Sequence, residues 1–130
     1  MAHPNEELLR TGYDAFGKGD MDTIRSLFAD DIVWHSPGKS PFAGDYRGVD
    51  AVLEQFGKVF ELTGGTFKIE IHDILANDTH AVVLARATAE RDGKRLDDKG
   101  VNVWHIKDGK VTEQWLHAGD QYASDEFFSD

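Results

Sequence analysis

The sequence contains no cysteine among its 130 residues, and only three prolines and two methionines. The absence of cysteine excludes disulfide bonds, thiolate zinc sites and thiol-based catalysis, and it is common in proteins of reducing compartments. The fold must therefore be held together by an ordinary hydrophobic core, and a chain of this length can bury one as a single domain.

Long apolar runs are also missing. No stretch approaches the ~20 residues of a membrane-spanning helix, and residues 1–10 contain no apolar segment of signal-peptide length. The 24 acidic residues outnumber the 14 Lys and Arg residues, which gives a net charge of −10. This charge repels nucleic-acid phosphates and anionic membrane surfaces. We therefore expect a cytoplasmic protein, one domain over residues 1–130, that binds neither nucleic acid nor membrane.

The first half of the chain shows the period of amphipathic helices. After Pro4, which suits a first helical turn, Leu9, Tyr13 and Phe16 form one apolar stripe. Asp20 predicts the N-cap of a second, short helix that buries Ile24, Leu27 and Phe28 and ends at residues 30–31. A third helix is predicted over residues 49–62, where the apolar positions are Val52, Leu53, Phe56, Val59 and Phe60.

The second half of the chain changes to the two-residue period of strands. Asp92-Gly93 and Asp108-Gly109 are hairpin signals between alternating segments. A short strand, residues 32–35, and a loop, residues 37–48, lie between the second and third helices. The longer strands are predicted over residues 67–72, 79–90, 96–107 and 111–118. Helices on one face of an antiparallel sheet make an α+β domain.

Several short motifs resemble SnoaL-like proteins of the nuclear transport factor 2-like, or ketosteroid isomerase-like, superfamily. They cover nearly the whole chain. They are GDMD at 19–22, LFADD at 27–31, WHSPG at 34–38, AGDYRG at 43–48, VWHIKDGKV at 103–111 and DQYASDEFF at 120–128. The resemblance implies a cone-shaped, curved, mostly antiparallel sheet and three N-terminal helices that together enclose a pocket, as in the cystatin-like roll.

The same superfamily contains isomerases, polyketide cyclases, epoxide hydrolases, dehydratases and proteins without catalysis, so the fold alone does not define a reaction. Steroid isomerisation needs an Asp base and two oxyanion donors, a Tyr and a protonated Asp. By resemblance the base position falls at Ser36, the protonated Asp at Asn102, and the Tyr at or beside Gly12, one residue from Tyr13. Steroid isomerase activity itself is therefore not expected.

Two residues are candidate catalysts. Asp120 shares the parity of Leu116, whose face is the cavity side by resemblance, so it is a candidate acid or base; alternatively it caps the following segment. His35 titrates near neutral pH, but alternation places it opposite Trp34 and Ser36. A bulge before Pro37 would turn it inward; otherwise it bonds to the loop.

The candidate ligand-binding residues come from several elements, and by resemblance the strand face of Asn102 and Trp104 is the pocket side. Trp104 offers a flat wall for an aromatic ligand, or is plain core. Arg86 either pairs with Asp120 in the pocket or has an exposed stem. The full set is Tyr13, Trp34, Ser36, Arg86, Asn102, Trp104 and Leu116.

The opposite face of the last strands carries large side chains, and we interpret it as a homodimer surface. Its residues are Val103, His105, Trp115 and His117. No His-x-x-x-His or His-x-His spacing occurs, so neither a metal nor a cofactor is expected.

Three functions remain compatible with the sequence. The first is an acid–base enzyme, namely an isomerase, cyclase or hydrolase, that uses Asp120 with help from His35 on a hydrophobic organic substrate. The second is a non-catalytic protein that binds a small ligand. The third is a dimeric scaffold whose aromatic residues, 11% of the chain, fill the cone.

Overall fold

The computed structural model describes residues 3–129. Within this part of the chain there are four helices and six strands, and the last element is a helix. The elements are α1 Pro4–Lys18, α2 Met21–Leu27, β1 Phe28–Ser36, β2 Gly44–Arg47, α3 Val49–Leu62, β3 Lys68–Ala76, β4 His80–Arg91, β5 Lys94–Lys107, β6 Lys110–His117 and α4 Gln121–Phe128.

The six strands form one curved, open sheet in the order β2-β1-β6-β5-β4-β3. All neighbouring pairs are antiparallel except β1 and β6, which run parallel with Trp34 opposite Gln114. Register shifts interrupt the pairing between Ile71 and Asp73 on β3 and between His105 and Ile106 on β5. Because bulges bend and twist strands, they help the sheet to curve. The predicted α+β class and the mostly antiparallel curved sheet are confirmed.

The helices begin and end where the sequence provides caps. The His3 ring accepts a hydrogen bond from the Asn5 amide at the start of α1, and Gly19, with φ of 69°, adopts the left-handed conformation at its end. The Asp20 carboxylate accepts from the Thr23 amide and caps α2. The three predicted helices are therefore present at the expected places.

Two elements differ from the sequence prediction. The predicted loop over residues 37–48 contains β2, which pairs with β1, and the segment after Asp120 forms α4. In addition, β1 already begins at Phe28, where the prediction continued the second helix. Four helices therefore contact the sheet in place of the predicted three.

The main core lies between the helices and the concave face of the sheet. Leu9, Ile24 and Phe56 pack from the helical side, opposite Val83 and Trp104 on the strands. A smaller cluster, Ala89, Leu96 and Phe127, seats α4 on β4 and β5. None of the helices within residues 3–129 is long and apolar enough to cross a bilayer.

Candidate functional site

A cavity of about 200 Å³ lies between the helices and the concave sheet face. Its wall is mostly apolar, with Leu9 and Phe16 from α1, Phe56 from α3 and Val111 from β6. On β4 the cavity-facing residues include alanines, such as Ala87, and these small side chains leave the space that larger ones would fill. The interior of the cone is therefore partly open.

Aromatic rings form most of one side of the cavity. The Trp34 ring centroid lies 5.5 Å from that of Trp104 and 4.9 Å from that of Phe56, both close to perpendicular. The Tyr13 ring meets Trp104 edge-on at 5.9 Å. Flat edges and faces at these spacings suit contact with a planar apolar molecule.

A group of polar atoms lies beneath this aromatic wall. The Tyr13 hydroxyl and Trp104 Nε1 are buried and have no hydrogen-bond partner within residues 3–129. Gln114, which is fully buried, donates from Nε2 to Asn102 Oδ1 at 2.7 Å, while its Oε1 has no partner in the described chain. Such orphaned groups are rare in native interiors.

Burial also controls the charge of this polar group. It raises the pKa of Tyr13 well above its usual range, and the nearby Trp104 and Asn102 side chains oppose the shift only in part. Neither neighbour meets hydrogen-bond geometry with the hydroxyl. Tyr13 is therefore a neutral hydroxyl that retains its proton.

A second polar contact borders the cavity on the side of α3. Gln55 is buried and donates from Nε2 to the Ser36 hydroxyl oxygen at 2.9 Å. Its Oε1 atom has no partner within residues 3–129. This contact fixes Ser36 as an acceptor and leaves its own hydroxyl proton free to donate.

The mouth of the cavity lies between α4 and the loop of residues 37–43. The Phe42 and Phe128 rings meet edge-on at 5.5 Å across it. The Asp125 carboxylate accepts hydrogen bonds from the Lys39 amide at 3.1 Å and from Gln121 Nε2 at 3.0 Å. These contacts tie the loop to α4, so the two segments form the mouth together.

One acidic residue that the sequence analysis did not single out lines the cavity. Asp98 accepts hydrogen bonds from the backbone amides of Gly119, at 3.1 Å, and Asp120, at 2.9 Å. It lies on β5 with the same parity as Asn102 and Trp104. Extending that alternation four residues toward the start of the strand identifies it.

The family follows from comparison with known proteins. Residues 9–114 match the SnoaL-like domain model. The chain belongs to the SnoaL-like domain family. This membership and the nuclear transport factor 2-like fold confirm the resemblance identified from the motifs.

Similar proteins cover almost the whole of this SnoaL-like chain. Bal32a, from a soil-derived mobile gene cassette, is 44% identical with a TM-score of 0.93, over 96% of each chain. A cystatin-like protein of unknown function from Xanthomonas campestris is 30% identical with a TM-score of 0.90, over 95% of this chain and 97% of that one. An uncharacterised protein of Mycobacterium tuberculosis is 31% identical over 95% of each sequence.

Most of the predicted ligand-binding residues of the SnoaL-like domain line its cavity. Their role in binding stays a prediction, but their location agrees with the alternation of β1, β5 and β6. They are Tyr13, Trp34, Ser36, Asn102, Trp104 and Leu116.

The predicted placement of Asp120 in the cavity was wrong. Strand β6 ends at His117, and the backbone of Gly119 then approaches Lys99 so closely that a Cβ would lie 2.1 Å from its carbonyl oxygen. The strand parity therefore does not extend to residue 120. Asp120 is exposed and caps α4 by accepting from the Ala123 amide at 3.0 Å, which was the alternative interpretation.

The predicted pocket role of His35 is also contradicted, because the side chain lies on the outer face of the sheet. No bulge turns it inward, since β1 and β2 pair in regular register from Val33 to Ser36. Its Nδ1 lies 2.7 Å from Asp45 Oδ1, and its Nε2 lies 2.6 Å from Glu113 Oε2. The ring stacks on Trp115 at 5.0 Å.

Arg86 was wrongly assigned to the pocket as well. It lies on the outer face of β4, next to the cavity-facing Ala85 and Ala87, and its side chain is 43% exposed. Its guanidinium makes two hydrogen bonds to Asp97, at 2.8 and 2.7 Å. Its acidic partner is therefore Asp97 and not Asp120.

Proposed function

We propose that this SnoaL-like domain binds a compact, mostly apolar organic molecule in its interior cavity. The observation that carries the proposal is an apolar, aromatic-walled space of about 200 Å³ whose lining includes the polar residues Ser36, Gln55 and Asn102. This volume lies below the ~300–1,000 Å³ of most ligand pockets, so the space accommodates only a ligand smaller than those pockets hold.

Binding without catalysis is favoured over the acid–base enzyme first expected. That enzyme depended on Asp120 and His35, and both lie outside the cavity. The polar side chains around the cavity are chiefly amides, hydroxyls and an indole, which orient a ligand but exchange protons poorly near neutral pH.

Asp98 supports a second candidate function, a proton-transfer enzyme acting on the same ligand. The residue lines the cavity, and a carboxylate in contact with a substrate can act as a general base. Substitution Asp98→Asn separates the two functions. Loss of turnover with retained binding supports the enzyme, whereas the absence of turnover in the natural chain supports a binding protein.

A cavity-filling variant tests binding itself. Ala87→Phe places a ring in the cavity where β4 has a small side chain, so we expect it to abolish the binding of small bicyclic hydrocarbons and ketones. Ala123→Phe makes the same chemical change on the exposed side of α4 and should leave binding intact. Isothermal titration calorimetry measures both variants against the natural chain. Equal binding by all three proteins would refute an interior site.

A further inference from the structure

A single charged residue lines the cavity, and it lies near the mouth, next to the start of α4. Among the lining residues of the described chain, Asp98 is the one acid, and none is Lys, Arg or His. No basic side chain of residues 3–129 forms an ion pair with Asp98. The cavity therefore contains a carboxylate for which the described part of the chain supplies no counter-charge.

Backbone amides fix the position of the Asp98 carboxylate. Oδ2 accepts from the Gly119 amide at 3.1 Å, and Oδ1 accepts from the Asp120 amide at 2.9 Å. A carboxylate has about four acceptor positions, so these two bonds leave roughly half of them free. Because the amides already hold the group in place, a ligand that binds it does not have to order it first.

Glycine at position 100 leaves the carboxylate uncovered on the cavity side. Gly100 lines the cavity and lies two residues from Asp98 along β5, so the two share one face of the strand. A Cβ on Gly100 would lie 3.5 Å from Asp98 Oδ2 and 2.9 Å from the His117 carbonyl oxygen. Any larger residue would therefore place its side chain against the carboxylate, and glycine keeps this side of Oδ2 accessible.

The other polar groups near the mouth add acceptors and negative charge. Gln121, which lines the cavity, donates from Nε2 to Asp125 at 3.0 Å, and this leaves its Oε1 as an acceptor. Asp125 is a second carboxylate beside the mouth, whereas the Lys39 residue whose amide it accepts from is exposed and does not line the cavity. The net charge of −10 gives the whole chain a field of the same sign, which attracts cations and repels anions.

We propose that the cavity binds a compact apolar amine, with its hydrocarbon body against the aromatic wall and its ammonium group hydrogen-bonded to Asp98. This inference rests on the proposed function, because it specifies the ligand of the same cavity. An ammonium N–H bonds to a carboxylate more strongly than a neutral hydroxyl does. Because Asp98 is only half-buried, the ammonium keeps part of its water, which limits the cost of desolvation.

The experiment compares three small molecules that share the bicyclic body of indane. Near neutral pH, 2-aminoindane is a cation, 2-indanol is neutral and indane-2-carboxylate is an anion. Calorimetry on the natural chain should give a dissociation constant roughly tenfold or more lower for 2-aminoindane than for 2-indanol, and no measurable binding of the carboxylate. Equal affinity for the amine and the alcohol, or a preference for the anion, would overturn the inference.

Two neighbouring acids provide a variant and its matched control. Asp98→Asn removes the charge at nearly constant size, so it should bring the ratio of the amine and alcohol constants toward one with little change for 2-indanol. Asp97→Asn removes the same charge one residue away, where the side chain pairs with Arg86 on the outer sheet face, and should preserve the ratio. A preference that survives Asp98→Asn, or that both variants lose equally, would assign it to the general field of an acidic chain and refute the Asp98 site.

Amide NMR spectra of the natural chain provide a readout that needs no variant. The Gly119 and Asp120 amides donate to Asp98, so a cation bound to this carboxylate should shift their proton resonances. Saturating 2-aminoindane should shift these two signals more than saturating 2-indanol does. Equal shifts with both compounds would place the amino group away from Asp98.

The outcomes separate this inference from the function beneath it. Binding of 2-indanol as tight as that of 2-aminoindane overturns the inference and leaves a cavity for small apolar molecules. Ala87→Phe, which fills the cavity, should abolish the binding of 2-aminoindane, and an amine that still binds would be held on the acidic surface, against the inference. Failure of the amine, the alcohol and indane itself to bind overturns the proposed function and the inference together.

Discussion

At the residue scale, Asp120 makes two hydrogen bonds that hold the start of α4 in place. Its backbone amide donates to Asp98, and its carboxylate accepts from the Ala123 amide. Asp120→Ala should lower the free energy of unfolding by about 1 kcal/mol through loss of the helix cap, and Asp120→Ser should retain most of it. Urea unfolding measures the difference. Ligand turnover that the natural chain shows and Asp120→Ala loses, at unchanged stability, would instead restore a catalytic role for this residue.

Protonation of His35 makes the free energy of unfolding of the domain depend on pH. Partial burial disfavours the charged ring, but the hydrogen bonds that His35 donates to Glu113 and Asp45 outweigh this effect and raise the pKa of His35. Two other basic side chains lie near the same carboxylates: His105 Nδ1 lies 3.8 Å from Glu113, and Arg47 Nη2 lies 4.0 Å from Asp45.

The direction of this pH dependence follows from the coupling between proton binding by His35 and folding. A raised pKa in the folded state stabilises the fold at pH below the unfolded value of 6.5, and the contribution disappears as the pH rises through the folded value. The excess stability of the natural chain over His35→Gln should therefore be greatest below about pH 6.5 and should shrink above it. Urea unfolding of both proteins across the neutral range checks this. A gap that widens with pH would contradict the assignment.

At the element scale, the contact between α4 and the loop of residues 37–43 requires the Gly38 backbone to lie close to side chains of α4. This residue has φ of 92°, and a Cβ there would lie 2.2 Å from Asp125 Oδ1 and 2.3 Å from Gln121 Nε2. Gly38→Ala should lower the free energy of unfolding by about 1–3 kcal/mol and loosen α4. Faster amide hydrogen exchange in α4 is the specific readout. Gly17→Ala, which meets nothing within 4 Å, is the control.

An element could be predicted where its residues show a clear turn motif or a regular spacing of apolar side chains. The two Asp-Gly turns were predicted correctly because Asp92 and Asp108 adopt positive φ, 46° and 52°, beside a glycine. Strand β2 has four residues with a single apolar side chain, Tyr46, so it shows no alternation. Helix α4 is only eight residues long, and its main signal was the capping residue Asp120.

The candidate site was partly predictable for the same reason. Alternation and family resemblance together located the cavity-facing residues of β1, β5 and β6. They failed at Asp120 because the strand stops three residues earlier, and they passed over Asp98 although β5 continues unbroken to it. The unpaired state of Tyr13 and Trp104 depends on how α1 packs against β5, which no local pattern encodes.

At the scale of the whole molecule, the outer sheet face remains the predicted homodimer surface. No helix within residues 3–129 covers it, and its rings form a continuous cluster in which His105 lies 4.7 Å from Trp115 and 4.4 Å from His80. Such an aromatic patch on an open sheet favours association with a second copy.

Light scattering after gel filtration tests this assembly. We expect a dimer for the natural chain and a monomer for Trp115→Glu, because a charge on the contact face must be desolvated on association. Tyr122→Glu makes a similar change at a residue that is 89% exposed on α4 and should remain dimeric. A natural chain that is monomeric at every concentration would remove the prediction.

The parallel pairing of β1 with β6 has a consequence for synthesis of the chain. Strands β3, β4 and β5 can pair as neighbours soon after they leave the ribosome. One edge of β1 can likewise pair with β2, but its other edge must wait for β6, which begins at Lys110. Contacts between such distant segments slow folding. During translation this edge of β1 therefore stays unpaired until most of the chain has been added, and an unpaired strand edge exposes the nascent protein to chaperones and to aggregation.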